Sequence, residues 1–192
     1  MPLVSFLDKT DKDAQLMLAY SRGDASAFEM LYGKHKDALY RFFLRQCGSQ
    51  AVAEELYQEV WLRVIRARET YTHKARFSTW LYHIAHNILV DFFRKPVEQD
   101  DTELVEEKIQ ANASNDPALI LTAQEKIQRF RVHLESLPRE QMETFLLKEE
   151  AGLSLEEIAS TTGENVETVK SRLRYAVKKL RQSLNSDEDR VQ

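Results

Sequence analysis

Residues Arg76–Lys95 read RFSTWLYHIAHNILVDFFRK, a run without glycine or proline that stops at Pro96. A proline disfavours helical backbone in the residue before it, so the run reads as a helix with a sharp end. Spacings of three and four place Phe77, Leu81, Ile84, Ala85, Ile88 and Phe92 on one side. Arg76, His83, Asn87 and Arg94 fall opposite, with Trp80 on one flank and Tyr82 and Phe93 on the other. The apolar side is a core face. An ordinary surface helix carries mixed charge on its back, whereas this one carries cations, an amide and rings. Those groups hold phosphates and stack on unpaired bases.

Working outward, helix signals recur and strand signals are nearly absent, with no Asn-Gly or Asp-Gly turn in the chain. Asp11 or Asp13 can cap a first helix through Tyr20, ending near Gly23. Ser26 with Glu29 fits a capping box for a long second helix. That helix has Phe28, Leu31, Tyr32, His35, Leu39, Phe42 and Phe43 inward and ends near Cys47-Gly48. His35 on this apolar side reads as a core-edge histidine with a partner rather than a ligand. A third helix, Gln50 to Arg68, buries Ala53, Leu56, Val60 and Val64 and turns Glu54, Glu55, Gln58 and Glu59 outward. The polar loop Glu69–Ala75 leads back to the opening helix, and residues 11–95 make one helical domain.

The next segment, 96–117, changes character. Between Pro96 and Ala118 seven acids face only Lys108, and no apolar face persists, so it reads as an acidic flexible linker. Helical patterning resumes over 118–185. Leu119, Ile127, Phe130 and Leu134 mark one helix, and Met142, Phe145 and Leu146 mark a second over Arg139–Glu150. Ser154 with Glu157 is a capping box for a short helix. Gly163 suits the turn that follows, and Asn165 caps a final helix reaching about Leu184. That last helix carries Lys170, Arg172, Arg174, Lys178, Lys179 and Arg181 against Glu167 through Gln182. The formal net charge of −4 therefore conceals a basic element behind an acidic connector.

This order and spacing is that of a helix-turn-helix, whose second helix enters the major groove. Val169, Leu173, Ala176 and Leu180 would hold it on its own core. Glu167, Lys170, Ser171 and Arg174 would lie where bases are read, and Arg172, Lys178, Lys179 and Arg181 where phosphates are met. The fold class is thus all-α: two small helical domains joined by an acidic linker, the second a helix-turn-helix.

The single cysteine, Cys47, excludes an internal disulfide. No apolar run approaches the ~18 residues of a membrane span, and the N-terminus lacks a signal-peptide pattern, so a cytoplasmic location is expected. No glycine-rich phosphate loop or nucleophile–base set is legible. His83 and His86 point to different sides, and no metal, cofactor or enzymatic role is expected. A stand-alone duplex-binding regulator would share the helix-turn-helix but has no use for a strand-capturing helix.

Taken together, AEELYQEVWLRV (Ala53–Val64), RFSTWLYHIAHNILVDFFRK and LSLEEIASTTGENVETVKSRLRYAVKKLR resemble three motifs of one family, in order. The family is the extracytoplasmic-function group of bacterial RNA polymerase sigma factors, and the resemblance spans about Ala14 to Leu184. It implies that Glu55, Gln58 and Glu59 dock the clamp helices of the polymerase beta-prime subunit. It implies that the loop Thr70–Ala75 (Tyr71, Thr72, His73 and Lys74 in particular) and Asn87 form a pocket for a flipped base of the −10 element. Trp80, His83 and Arg94 would lie along the same strand. Lys170, Ser171 and Arg174 match −35 base-contacting positions, with Glu167, Arg172 and Lys178 beside them. Promoter DNA, core RNA polymerase and a separate anti-sigma factor are the implied partners. The loop TYTHKA lacks the glycine that relatives often carry there, and Tyr175 stands where many have a basic residue.

Overall fold

The computed structural model describes residues 11–95 and 127–188. Among them every regular element is an α-helix. The first group is α1 (Lys12–Ser21), α2 (Ala25–Cys47), α3 (Gln50–Arg66) and α4 (Phe77–Arg94). The second is α5 (127–135), α6 (Arg139–Glu149), α7 (Leu155–Thr162) and α8 (Val166–Glu188). The acidic segment 96–117 and the expected helix start at 118–126 lie outside the described residues.

Local chemistry sets the helix ends. Asp11 caps α1, its Oδ1 accepting from the backbone N–H of Asp13 and Ala14. The N-cap of α2 is Asp24, not the Ser26–Glu29 box expected from sequence. Asp24 Oδ1 accepts from the N–H of Ser26 and Ala27, and the Ser26 hydroxyl donates to it at 2.6 Å. An aspartate one residue before the helix outcompetes a hydroxyl already inside its first turn. Gly48, at φ 67°, supplies the left-handed residue that ends α2. The Ser154–Glu157 box of α7 has both of its hydrogen bonds, and α7 runs on to Thr162 before Gly163 turns at φ 72°. Asn165 Oδ1 accepts from Thr168 N–H at 2.8 Å and opens α8.

The first group buries Phe42, Phe43, Leu31, Leu39, Val60, Phe77 and Leu81 completely, each side chain worth about 1.5–3 kcal/mol of burial. Tyr82, expected on a helix flank, is 1% exposed, because its ring meets Phe42 edge-on at 5.4 Å. The second group builds a smaller core from Leu134, Leu146, Leu147, Leu153, Ile158, Val169, Ala176 and Leu180. Leu173, expected inward, is only half-buried.

The two groups touch. α4, packed on α3 and α1, presents its other side to α7, and α2 meets α6. The polar back of α4 is therefore partly covered by the helix-turn-helix domain. None of the described helices is long and apolar enough to cross a membrane.

Candidate nucleic-acid interface

The loop before α4 forms around one aromatic corner. Tyr71 is buried, its ring edge-on to Trp80 at 4.9 Å and to Phe77 at 6.4 Å. Burial pushes its phenol up to about 12, with Asp11 and Asp13 adding to the effect, so the ring stays neutral. The Thr70 hydroxyl donates to Ala67 O, and Lys74 N–H donates to Thr72 O at 2.9 Å, which tightens the loop. No side chain of its own caps α4. Asp11 Oδ2 accepts the Phe77 N–H at 2.8 Å, and His73 Nε2 stands 3.9 Å from that oxygen.

Loop and helix together line an open pocket of about 390 Å³. Thr70, Tyr71, Thr72, Lys74, Ala75, Thr79, Trp80 and His83 wall it, and Ser160 and Thr161 of α7 close its far side. Small-molecule sites commonly run ~300–1,000 Å³. The walls combine ring faces, hydroxyls, a lysine and an imidazole, a set that can stack on a planar base and hydrogen-bond its edge.

Of the residues expected here, Tyr71, Thr72, Lys74, Trp80 and His83 meet at the cavity. His73 is half-buried and turned to Asp11. Asn87 is exposed one turn beyond His83 and is not among the lining residues. Arg94 lies at the far end of α4, exposed and paired with Asp91 at 2.7 Å. Thr79, which sequence reading passed over, is buried and lines the wall. A threonine in a first helical turn carries no signal of its own, and only the fold around it reveals the wall.

A second concavity of about 390 Å³ runs between α3 and the end of α4. Glu55, Gln58, Glu59, Leu62 and Arg63 line one side, and Ile88, Asp91, Phe92 and Lys95 the other. Glu59 accepts from Arg63 at 2.8 Å, and Leu62 is 45% exposed in the groove. All three polar residues expected to bind a protein partner thus share one acidic groove with an apolar floor.

The third surface is α8. Lys170, Arg174, Lys178 and Arg181 line a shallow groove along it with Leu173 and Val177. Glu167 and Lys170 are exposed and 3.7 Å apart, and Ser171 is half-buried. Two cations expected at phosphates are already engaged: Arg172 donates to Glu164 at 2.9 Å, and Lys179 donates to the Ser136 carbonyl. Arg174 lies over the Tyr175 ring at 5.2 Å.

Comparison with known proteins agrees with this layout. The family described as Sigma-70 region 2 matches residues 31–97, and the family described as Sigma-70, region 4 matches residues 127–180. The ECF RNA polymerase sigma-E factor of Escherichia coli K12 is 31% identical over 170 residues, covering 84% of this chain and 88% of that one. The ECF RNA polymerase sigma factor BldN of Streptomyces coelicolor is 30% identical over 172 residues, covering 86% of this chain. The alignment takes in 63% of BldN's own length. In fold, the chain is similar to the sigma factor RpoE in complex with the anti-sigma factor NepR from Bartonella quintana. The TM-score is 0.68 at 21% identity, covering 83% of this chain and 98% of that one.

A region 2 helical domain followed by a region 4 helix-turn-helix defines a promoter-specificity factor for RNA polymerase. The chain belongs to the ECF RNA polymerase sigma factors.

Proposed function

We propose that this sigma factor uses its three surfaces for three separate steps. Residues 11–95 dock core polymerase through the groove of Glu55, Gln58 and Glu59, against the clamp helices of the beta-prime subunit. The same domain captures and helps melt the −10 element. Residues 118–185 read the −35 element, with Lys170, Ser171 and Arg174 near bases and Lys178 near phosphates, and 96–117 connects the two. The protein works in the cytoplasm with the polymerase, contributes no catalytic group and needs no cofactor. The solved neighbour RpoE is bound by the anti-sigma factor NepR, and a partner of that kind fits this chain's control as well.

The observation that carries the melting step is the cavity under the loop. Its ring walls, Tyr71 and Trp80, adjoin His83 and Lys74 at the start of the helix that offers Asn87 and Arg94 to a strand. A base leaving the duplex loses stacking and pairing, and a ring-walled pocket with donors replaces both. Stacking on one aromatic side chain is worth about 1–3 kcal/mol per base. The test is permanganate footprinting of open complexes formed by holoenzyme carrying Trp80→Ala or Asn87→Ala. Both should lose open complex while retaining core binding. Open complexes at the wild-type level in both variants would refute the pocket assignment.

A further inference from the structure

The cations of α8 keep two kinds of company. Arg172 donates to Glu164 at 2.9 Å and Lys179 donates to the Ser136 carbonyl, so both are tied to acceptors of their own domain. Arg174 differs. Its guanidinium carbon lies over the Tyr175 ring, 5.2 Å from the centroid, and among the described residues no carboxylate pairs with it. Tyr175 is itself 52% exposed, although its neighbour Ala176 is completely buried. The helical repeat explains the contrast. Val169, Ala176 and Leu180 face the domain core, which leaves Tyr175 on a flank, one turn beyond Ser171 and beside the exposed Arg174 and Lys178.

A lone exposed ring is ordinary on a protein surface. What sets this one apart is the cation laid over it. A ring attracts a cation through its quadrupole and consumes none of its N–H donors. A carboxylate partner, such as Glu164 for Arg172, does consume them. The Arg174 fork is therefore restrained and still has its donors to offer. A free arginine gives up rotamer freedom when it docks, and the ring removes part of that cost beforehand. In the major groove the matching acceptors are O6 and N7 of guanine, which a planar guanidinium meets with a pair of parallel hydrogen bonds.

We propose that Tyr175 is a positioning residue for −35 recognition, its ring orienting Arg174 to read a guanine. This role rests on the reading of α8 as the −35 helix, and it adds which base Arg174 selects and what holds the side chain ready. Tyr175 acts through its ring alone and needs no base contact of its own.

The test uses holoenzyme and the promoter that the wild-type protein selects. Each −35 base pair is replaced in turn, and competition binding gives the preference for the selected pair at each position. Arg174→Ala should cut the preference for one G·C pair by at least about fivefold. Tyr175→Leu should cut it at the same position by about two- to fivefold, the worth of an exposed cation–π contact. Preferences at the other positions and the salt dependence should hold, because no charge is lost. Tyr175→Phe keeps the ring and should match wild type. Tyr175→Leu added to Arg174→Ala should cost nothing more, since the ring works only through the cation. A variant with a damaged fold would lose preference at every position together. Full preference in Tyr175→Leu, equal losses in Tyr175→Phe and Tyr175→Leu, losses spread over all positions, or dependence on a base other than guanine each overturn the role of Tyr175 while the −35 reading stands. If Arg174→Ala changes no preference at all, Arg174 does not read the element, and the role of Tyr175 falls with that reading.

Discussion

The carboxylate of Asp11 accepts the backbone amide of Phe77 at 2.8 Å through Oδ2, while its Oδ1 caps the first turn of its own helix. One side chain thus closes the N-termini of both α1 and α4, although 66 positions separate the two residues. It sets where α4 begins and thereby where the base cavity opens. Losing an N-cap costs about 0.5–2 kcal/mol, so Asp11→Ala, which loses two, should destabilise the first domain by about 2–3 kcal/mol. Asp11→Asn keeps one acceptor oxygen and should fall between wild type and alanine. Urea unfolding monitored by circular dichroism measures both.

Beside that cap, Asp13 accepts from Lys34 at 2.6 Å and pairs with His35 at 2.9 Å, and the His35 ring lies 5.3 Å from the Phe77 ring. Burial holds His35 below its ordinary 6.5 despite the attraction of Asp13. Burial opposes the charge on Asp13, yet the bonds from Lys34 and His35 keep its carboxyl below 3.8. The signs agree. Below about pH 6.5 the unfolded chain takes up a proton at His35 that the native state resists, so stability falls with acid. The Asp13 contribution stands above its ordinary value and is lost as pH falls through the depressed one. For the single proton at His35 the slope is at most about 1.4 kcal/mol per pH unit. His35→Gln should flatten the stability difference between pH 7.5 and pH 5.5, as read by chemical denaturation at each pH.

Cys47 ends α2 with its thiol pushed up to about 12 by burial, only partly offset by the nearby Arg139 cation. The thiolate is the reactive form, so the native chain at pH 8 should react with iodoacetamide about a thousandfold more slowly than an ordinary thiol. Denatured protein should react at the ordinary rate. A fast native reaction would show that the thiol is accessible and ionised.

In the groove between α3 and α4, Glu55→Lys with Gln58→Ala replaces an acidic, hydrogen-bonding wall by a cation. Affinity for core polymerase should drop at least tenfold in a fluorescence binding assay, as expected when central interface residues are changed. Circular dichroism and melting temperature should stay at wild-type values, because both side chains are exposed.

Much of this is legible in the sequence. The 3.6-residue pattern located the helices, and Ser154–Glu157 with Gly163 located the helix-turn-helix, because those signals act within a few residues. Tertiary chemistry was not legible. Nothing near Asp11 in sequence points to Phe77, and Tyr82 reads as a flank residue until Phe42 is set beside it. Asp24 preceded the better-known Ser26–Glu29 pattern and displaced it. The inter-domain contacts were the least visible, since Glu143, Glu150, Arg41 and Arg45 look in sequence like ordinary solvated charges. The cavity lining likewise joins Thr79 and Trp80 to Ser160 and Thr161, residues some eighty positions apart.

The most direct test of the whole account is transcription by purified core RNA polymerase on a randomised promoter library, with and without this protein. Dependence on the protein, with enrichment of two short sequence blocks at a fixed spacing, is the predicted result. The downstream block should lose its information with Trp80→Ala and the upstream block with Lys170→Ala and Arg174→Ala. Transcripts that show no enriched blocks, or no transcripts from a protein that binds core polymerase, would contradict it.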